Sequence, residues 1–249
     1  TSAIAQVQSE QVQILAFPEM SLTGYTIGDL IHHQVLLMGA QRGLEQLLKQ
    51  TAGKGMLIVV GMPLLVEQKV FNCAVMINAG KIQGVIPKTF IPNYKEFYEE
   101  RWWSSGSTAQ IDTIELAGQQ VPFGTDLLFR LNNSEAIIGV EICEDLWTPL
   151  APHESQAAGG ATLLVNISAS NEVLGKKEWR RTMIVSESGR CSAAYCYTSS
   201  GIGESSNDVV FSGHAVNAEN GTVFKEAETL TAGPQLIVSD LDMGRLTHD

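Results

Sequence analysis

The stretch EAIIGVEIC at 135–143, followed at once by EDLW at 144–147, decides how this chain folds. It is an apolar run of strand length that ends on a cysteine, with Glu141 and Glu144 on either side of Cys143. Two more segments share the layout. QILAFPEMSLTGY (13–25) sets Glu19 directly after Phe-Pro, and GVIPKTFIPNY (84–94) sets Lys88 directly after Ile-Pro. A side chain at a strand end is held on a rigid scaffold beside a cleft, where catalytic groups commonly sit.

Outward from these three, short runs rich in β-formers recur at 12–17, 56–64, 71–78, 81–86, 126–131, 161–168, 193–199, 208–216 and 235–242, each bounded by Gly, Pro, Asn or Asp. Apolar spacing near 3.6 predicts a helix over 35–50 and another over 176–190, the latter presenting Trp179, Met183 and Ile184 to the core. FNCAVMINAGKIQGVI (71–86) reads as a hairpin turning at Asn78-Ala79-Gly80-Lys81, and HAVNAENGTVFKE (214–226) repeats the device at Asn220-Gly221. Hairpins mixed with helix crossovers imply mixed sheets covered by helices, hence an α/β chain. No linker, repeat or low-complexity segment interrupts residues 1–249, so a single domain is expected. Residues 1–10 read as the end of a helix entering the 12–17 strand with no strand before it, the pattern of a truncated start.

Composition excludes several classes. A net charge of −11 opposes both a sequence-independent grip on nucleic acid and attachment to an anionic membrane. The apolar runs fall short of the roughly 20 residues that span a bilayer. The start TSAIAQVQSEQVQ lacks the basic and apolar regions of a signal peptide. Cys73, Cys143, Cys191 and Cys196 form no C-x-x-C pair and no disulfide scaffold, which suits a reduced, cytoplasmic setting. His32, His33, His153, His214 and His248 have no ligand-like spacing, so no metal is expected. SGIGESS (200–206) resembles a phosphate loop, but NDVVFSGH follows it as strand rather than as the helix whose N-terminus would hold the anion.

Singly, the three strand-end residues are ordinary: a buried cysteine behaves as a small hydrophobe, a glutamate can cap a helix, and lysine is usually solvated. Together they make one chemistry. A thiolate attacks an amide carbonyl, a carboxylate sheltered from water serves as base, and an ammonium stabilises the oxyanion.

The Glu, Lys, Cys order resembles the nitrilase, or carbon-nitrogen hydrolase, superfamily. FPEMSLTGYTIGDL (17–30), PKTFIPNYKEFYEERWW (87–103) and GVEICEDLW (139–147) are similar to motifs of the glutaminase domains of glutamine-dependent NAD synthetases, and the similarity runs from about Val12 to the chain end. This resemblance implies a four-layer α-β-β-α sandwich, with Glu19 as general base, Lys88 on the oxyanion, Cys143 as nucleophile and Glu99 as a supporting glutamate. It implies a glutamine pocket including Tyr25, Tyr94, Glu144, Trp147, Ser170 and Lys176. Ser170 and Lys176 lie in NISASNEVLGKKEWR (166–180). The family often carries Arg where Lys176 stands, so a point charge here replaces a bidentate clamp.

The expected reaction is hydrolysis of L-glutamine, with ammonia passed to a synthetase domain of a longer parent chain. The domain itself needs no cofactor; ATP and magnesium belong to that absent domain, and homo-oligomers are expected. The alternatives are a free-standing amidase acting on another small amide or nitrile, and a fold retained without catalysis as an assembly surface.

Overall fold

The computed structural model describes residues 2–8, 10–132 and 134–248. The chain divides into two compact units, residues 1–125 and 126–249.

In the first unit, helix α1 (Ser2–Gln8) leads into strand β1 (Ile14–Ala16), and helix α2 (Gln34–Thr51) leads into β2 (Leu57–Val66), β3 (Lys69–Asn78) and β4 (Lys81–Pro87). The four strands form one sheet in the order β1-β2-β3-β4, with β1 parallel to β2 and antiparallel pairing beyond. Two reversals return β4 to the direction of β1, so both strands deliver their C-terminal ends to one edge of the sheet. Glu19 follows one of those ends and Lys88 follows the other. The β3–β4 turn places Ala79 at φ 49° and Gly80 at φ 80°, the paired positive angles of a type I′ hairpin. α2 buries Leu37, Ala40, Leu44, Leu47 and Leu48, the expected helical stripe.

A hairpin not expected from the sequence, β5 (Thr113–Leu116) with β6 (Gln119–Pro122), turns at Ala117-Gly118. Ala117 at φ 50° stands where Asn or Asp would have announced the turn.

In the second unit, β7 (Leu128–Arg130), β8 (Ile137–Ile142), helix α3 (Pro152–Ala158), β9 (Leu163–Ser168), helix α4 (Lys176–Arg190), β10 (Ala194–Ser199), β11 (Ala215–Glu219), β12 (Thr222–Glu226) and helix α5 (Met243–His248) follow in order. The sheet runs β12-β11-β10-β9-β8-β7, and β8, β9 and β10 are mutually parallel. Cys143 and Ser170 lie just past the C-terminal ends of β8 and β9. Leu146, Leu164, Ile184, Tyr195, Val216 and Ala218 pack the core of this unit.

Three expectations need correction. The 208–216 run is not a strand throughout. Phe211 makes one isolated bridge to Asn171, Gly213 turns at φ 72°, and the ladder begins only at Ala215. The 235–242 run forms no strand: residues 236–239 are half-buried and no sheet edge supplies a ladder, so β-propensity finds no surface to fit. α4 has the expected bounds and turns Ile184 inward with Met183 packed beside it, but not Trp179. Arg180, Ile184 and Ser188 are buried while Trp179 is 61% exposed.

Candidate active site

Within the first unit, three charged side chains share a space closed to water. Lys88 and Glu19 are 0% exposed and Glu99 is 1% exposed. Lys88 Nζ lies 2.9 Å from Glu19 Oε1 and 2.8 Å from Glu99 Oε2. Asn72 Nδ2 on β3 donates to Glu19 Oε1 at 2.6 Å, and Tyr25 Oη donates to Glu99 Oε1 at 2.7 Å. An unpaired ammonium in such a space would be strongly disfavoured; two carboxylates make it tenable. Burial pushes the Glu99 carboxyl above its ordinary 4.5, Lys88 opposes that rise, and the nearby Glu19 carboxylate adds to it. Gly61 makes the placement of Glu19 possible: a Cβ there would lie 2.2 Å from the Met20 backbone nitrogen and 2.9 Å from Glu19 Cα. Tyr94, also expected at the site, is 48% exposed and meets Phe97 edge-on.

Within the second unit, Cys143 opens a short 3-10 turn, Cys143–Trp147, directly after β8. Its φ of 48° is left-handed, an unusual and strained conformation for a residue with a Cβ. Two buried side chains hold this elbow. Asp145 Oδ2 accepts the Ile142 amide at 2.9 Å, and Asn166 Oδ1 accepts the Cys143 amide at 3.2 Å.

Of the residues expected around it, Glu144 and Trp147 lie on the same turn. Lys176 donates to Asn171 Oδ1 and its ammonium stands 5.3 Å from the Trp147 ring centre. Ser170 is buried; its amide donates to Ser199 Oγ at 3.1 Å.

Sequence reasoning missed Asn72, Asn166 and Arg180. Each interrupts an apolar pattern: Asn72 in FNCAVMIN, Asn166 in ATLLVNIS, Arg180 in phase with Ile184 on α4. A polar residue inside such a run signals a specific buried partner. Arg180 donates from Nε to His214 Nδ1 at 2.9 Å and from Nη2 to Glu172 at 2.7 Å, with Nη1 reaching Ser170 Oγ at 3.5 Å. Because Arg can only donate, His214 must accept at Nδ1 and carry its proton on Nε2, which faces Glu226 at 2.9 Å.

The other three cysteines are held as unreactive thiols. Burial pushes Cys73 well up, Cys191 to about 11 and Cys196 to about 12. His153, Glu187 and Cys191 bring possible ligand atoms within 4.8 Å of one another. Their charges are already matched, since His153 lies between Glu141 and Glu187, and Arg190 bonds Glu187 at 2.8 Å. SGIGESS runs through turns to the Phe211 bridge and opens no helix.

The first unit thus holds a buried Glu-Lys-Glu cluster beside the C-terminal ends of β1 and β4, and the second a strained cysteine elbow at the end of β8. Residues 1–248 match the carbon-nitrogen hydrolase family, and the chain belongs to it. It is 39% identical over 230 residues to a glutamine-dependent NAD(+) synthetase of Mycobacterium tuberculosis, covering 92% of this chain and 34% of that protein. The crystal structure of a glutamine-dependent NAD(+) synthetase from Cytophaga hutchinsonii matches with a TM-score of 0.81 at 26% identity, over 92% of this chain and 37% of that one. The NitN amidase from Neterenkonia sp. AN1 matches with a TM-score of 0.76 at 16% identity, covering 100% of this chain and 87% of that one, a likeness of fold alone. The chain spans about a third of the length of the synthetase relatives. Among the described residues no helix is long and apolar enough to cross a membrane.

Proposed function

We propose that this chain hydrolyses the side-chain amide of L-glutamine to glutamate and ammonia through a thioester on Cys143. The observation that carries the reading is the Lys88 ammonium held between Glu19 and Glu99 with all three side chains buried, in a relative of glutamine-dependent synthetases. By the roles the family resemblance implies, Glu19 is assigned to take the thiol proton as Sγ bonds to the amide carbon, and the Lys88 ammonium to stabilise the resulting oxyanion. The proton on Glu19 passes to the amide nitrogen as the carbon–nitrogen bond breaks, releasing ammonia. A water then gives its proton to Glu19 and attacks the thioester; the carbon–sulfur bond breaks, glutamate leaves, and Glu19 returns the proton to sulfur. Glu99 holds Lys88 in place.

Glu144 and Ser170 are assigned to the α-amino group, Lys176 to the α-carboxylate, and Tyr25, Tyr94 and Trp147 to the walls. In the longer proteins of this kind the ammonia would pass to a synthetase domain that uses ATP and magnesium to amidate deamido-NAD. Cys73, Cys143, Cys191 and Cys196, held in no disulfide, support a reducing, cytoplasmic setting. Exposed Val173, Leu174 and Trp179 support association with a second copy.

The test is ammonia release from a panel of L-glutamine, D-glutamine, L-asparagine, acetamide and propionamide, with Cys143→Ala alongside. L-Glutamine should be preferred and the variant silent. Turnover confined to simple amides would install the free-standing amidase instead, and undiminished turnover in Cys143→Ala would dispose of the thioester.

A further inference from the structure

A residue with a Cβ held at φ 48° is strained and persists only where its surroundings over-determine it. At Cys143 those surroundings form a chain of buried polar groups with one permitted orientation. Asn166, 0% exposed, receives two donors on Oδ1: the Cys143 amide at 3.2 Å and Ser168 Oγ at 2.7 Å. Its Nδ2 donates to Glu141 Oε1 at 3.0 Å. Reversing the amide would set an NH₂ against a backbone N–H and an oxygen against a carboxylate, so the orientation is chemically determined.

Besides Asn166, Glu141 accepts from Tyr195 Oη and from the His153 amide at 3.2 Å, and it meets His153 Nδ1 at 3.0 Å. Against burial, Glu141 and Glu187 hold His153 above its ordinary range, and an imidazolium between them donates from both ring nitrogens, so the set suits an ionised carboxylate. Burial favours the neutral form, but His153, Tyr195 and Asn166 together hold the Glu141 carboxyl below its ordinary range. The charge on Glu141 polarises the Asn166 amide and strengthens Oδ1 as an acceptor.

We infer that Asn166, backed by Glu141, is a positioning residue for the nucleophile: it clamps the Cys143 peptide in the left-handed turn that sets the direction of the thiol. The clamp also commits the Cys143 amide. That N–H points at Asn166 and is not available to an oxyanion, so any backbone donor to the oxyanion comes from a later amide of the 3-10 turn, with Glu144 first in line. The inference rests on Cys143 being the nucleophile and adds which residue aims it.

Asn166→Ala, made in the full-length protein, removes the acceptor while leaving every proposed substrate contact. kcat for glutamine should fall about 100-fold, the scale of a small misplacement of a reacting atom, with KM held within about twofold. Asn166→Asp keeps an acceptor for the Cys143 amide but sets a second carboxylate beside Glu141. Also facing that pair are Cys143, His153, Tyr195 and the cross-strand neighbour Tyr197, with Arg180 beyond Tyr197 and Glu187, Arg190 and Cys191 beyond the imidazole. Two adjacent buried carboxylates share a proton, and a protonated Asp at 166 would again donate to Glu141. The kcat of Asn166→Asp relative to wild type should therefore rise about tenfold as pH falls from about 8 to about 6.

A packing role alone would not produce that pH-dependent recovery. If Asn166→Ala fails to fold by circular dichroism, Asn166→Asp carries the test. Wild-type kcat in Asn166→Ala, or a pH-independent ratio in Asn166→Asp, overturns the inference while a silent Cys143→Ala leaves the thioester reading intact. Ammonia release surviving in Cys143→Ala brings both down.

Discussion

Replacing Lys88 by Met tests the electrostatic core of the site. Met approximates the lysine stem, so packing is largely kept and the charge alone is removed. The ammonium donates to Glu19 at 2.9 Å and to Glu99 at 2.8 Å, and its loss leaves two carboxylates facing each other out of water. Removing one partner from a buried ion pair costs about 3–5 kcal/mol. At roughly 2–4 °C per kcal/mol for a chain of this size, Tm should drop by about 6–20 °C.

The deficit should depend on pH. The folded-state pKa of Glu99 is already raised above 4.5, so its contribution to stability is full below that value and is lost as pH rises through the folded value. Without Lys88 the chief opposition to the rise of Glu99 is gone, so the loss is smallest near about pH 5 and grows toward about pH 8. Urea denaturation at both pH values measures it, and adding Glu99→Gln to Lys88→Met should restore about half by removing one of the two charges. A loss below about 1 kcal/mol, equal at both pH values, would refute the reasoning.

Other perturbations follow from single contacts. Gly61→Ala sets a Cβ against the backbone of Glu19 and Met20, costing about 1–3 kcal/mol and lowering ammonia release about 100-fold by displacing Glu19; unchanged turnover would count against Glu19 as base. Lys176→Ala should raise KM for glutamine at least about tenfold with kcat little changed, and Lys176→Arg should hold or improve KM, both read from initial rates. The Glu141–His153 pair carries a pH signature. His153 is raised above 6.5, so its contribution is full below 6.5 and fades as pH rises through the folded value; Glu141 is lowered from 4.5, so its contribution is full above 4.5 and fades as pH falls through the folded value. The stability gap between wild type and His153→Ala should therefore be wider at about pH 5.5 than at about pH 9 in urea titrations.

Much of the site was legible in the chain because strand ends are local features. The apolar runs before Glu19, Lys88 and Cys143 end close to where the sequence says, and β8, buried on both faces, delivers Cys143 to its turn. The hairpin at Ala79-Gly80 and the bounds of α4 are equally local, set by turn chemistry and a 3.6 period. What escaped was non-local. Trp179 read as core from its phase, yet Arg180 takes the buried position because Glu172, Ser170 and His214 satisfy its guanidinium there. The LIV of 236–238 read as strand, yet β-propensity is realised only beside a free ladder.

By itself, then, the sequence determined which chemical groups stand at strand ends: a thiol, an ammonium and a carboxylate in an order that marks the family. Tertiary structure decided what surrounds them. Tyr25 and Glu99 are 74 positions apart, Asn72 and Glu19 are 53 apart, and Asn166 and Cys143 are 23 apart, yet each pair is joined by a hydrogen bond, the last two fully buried. Charge and orientation in a buried space depend on every neighbour at once, because nearby groups interact far more strongly there than in solvent. Residue types are written along the chain; the charge and orientation of each group are set only once distant segments of its own unit enclose it.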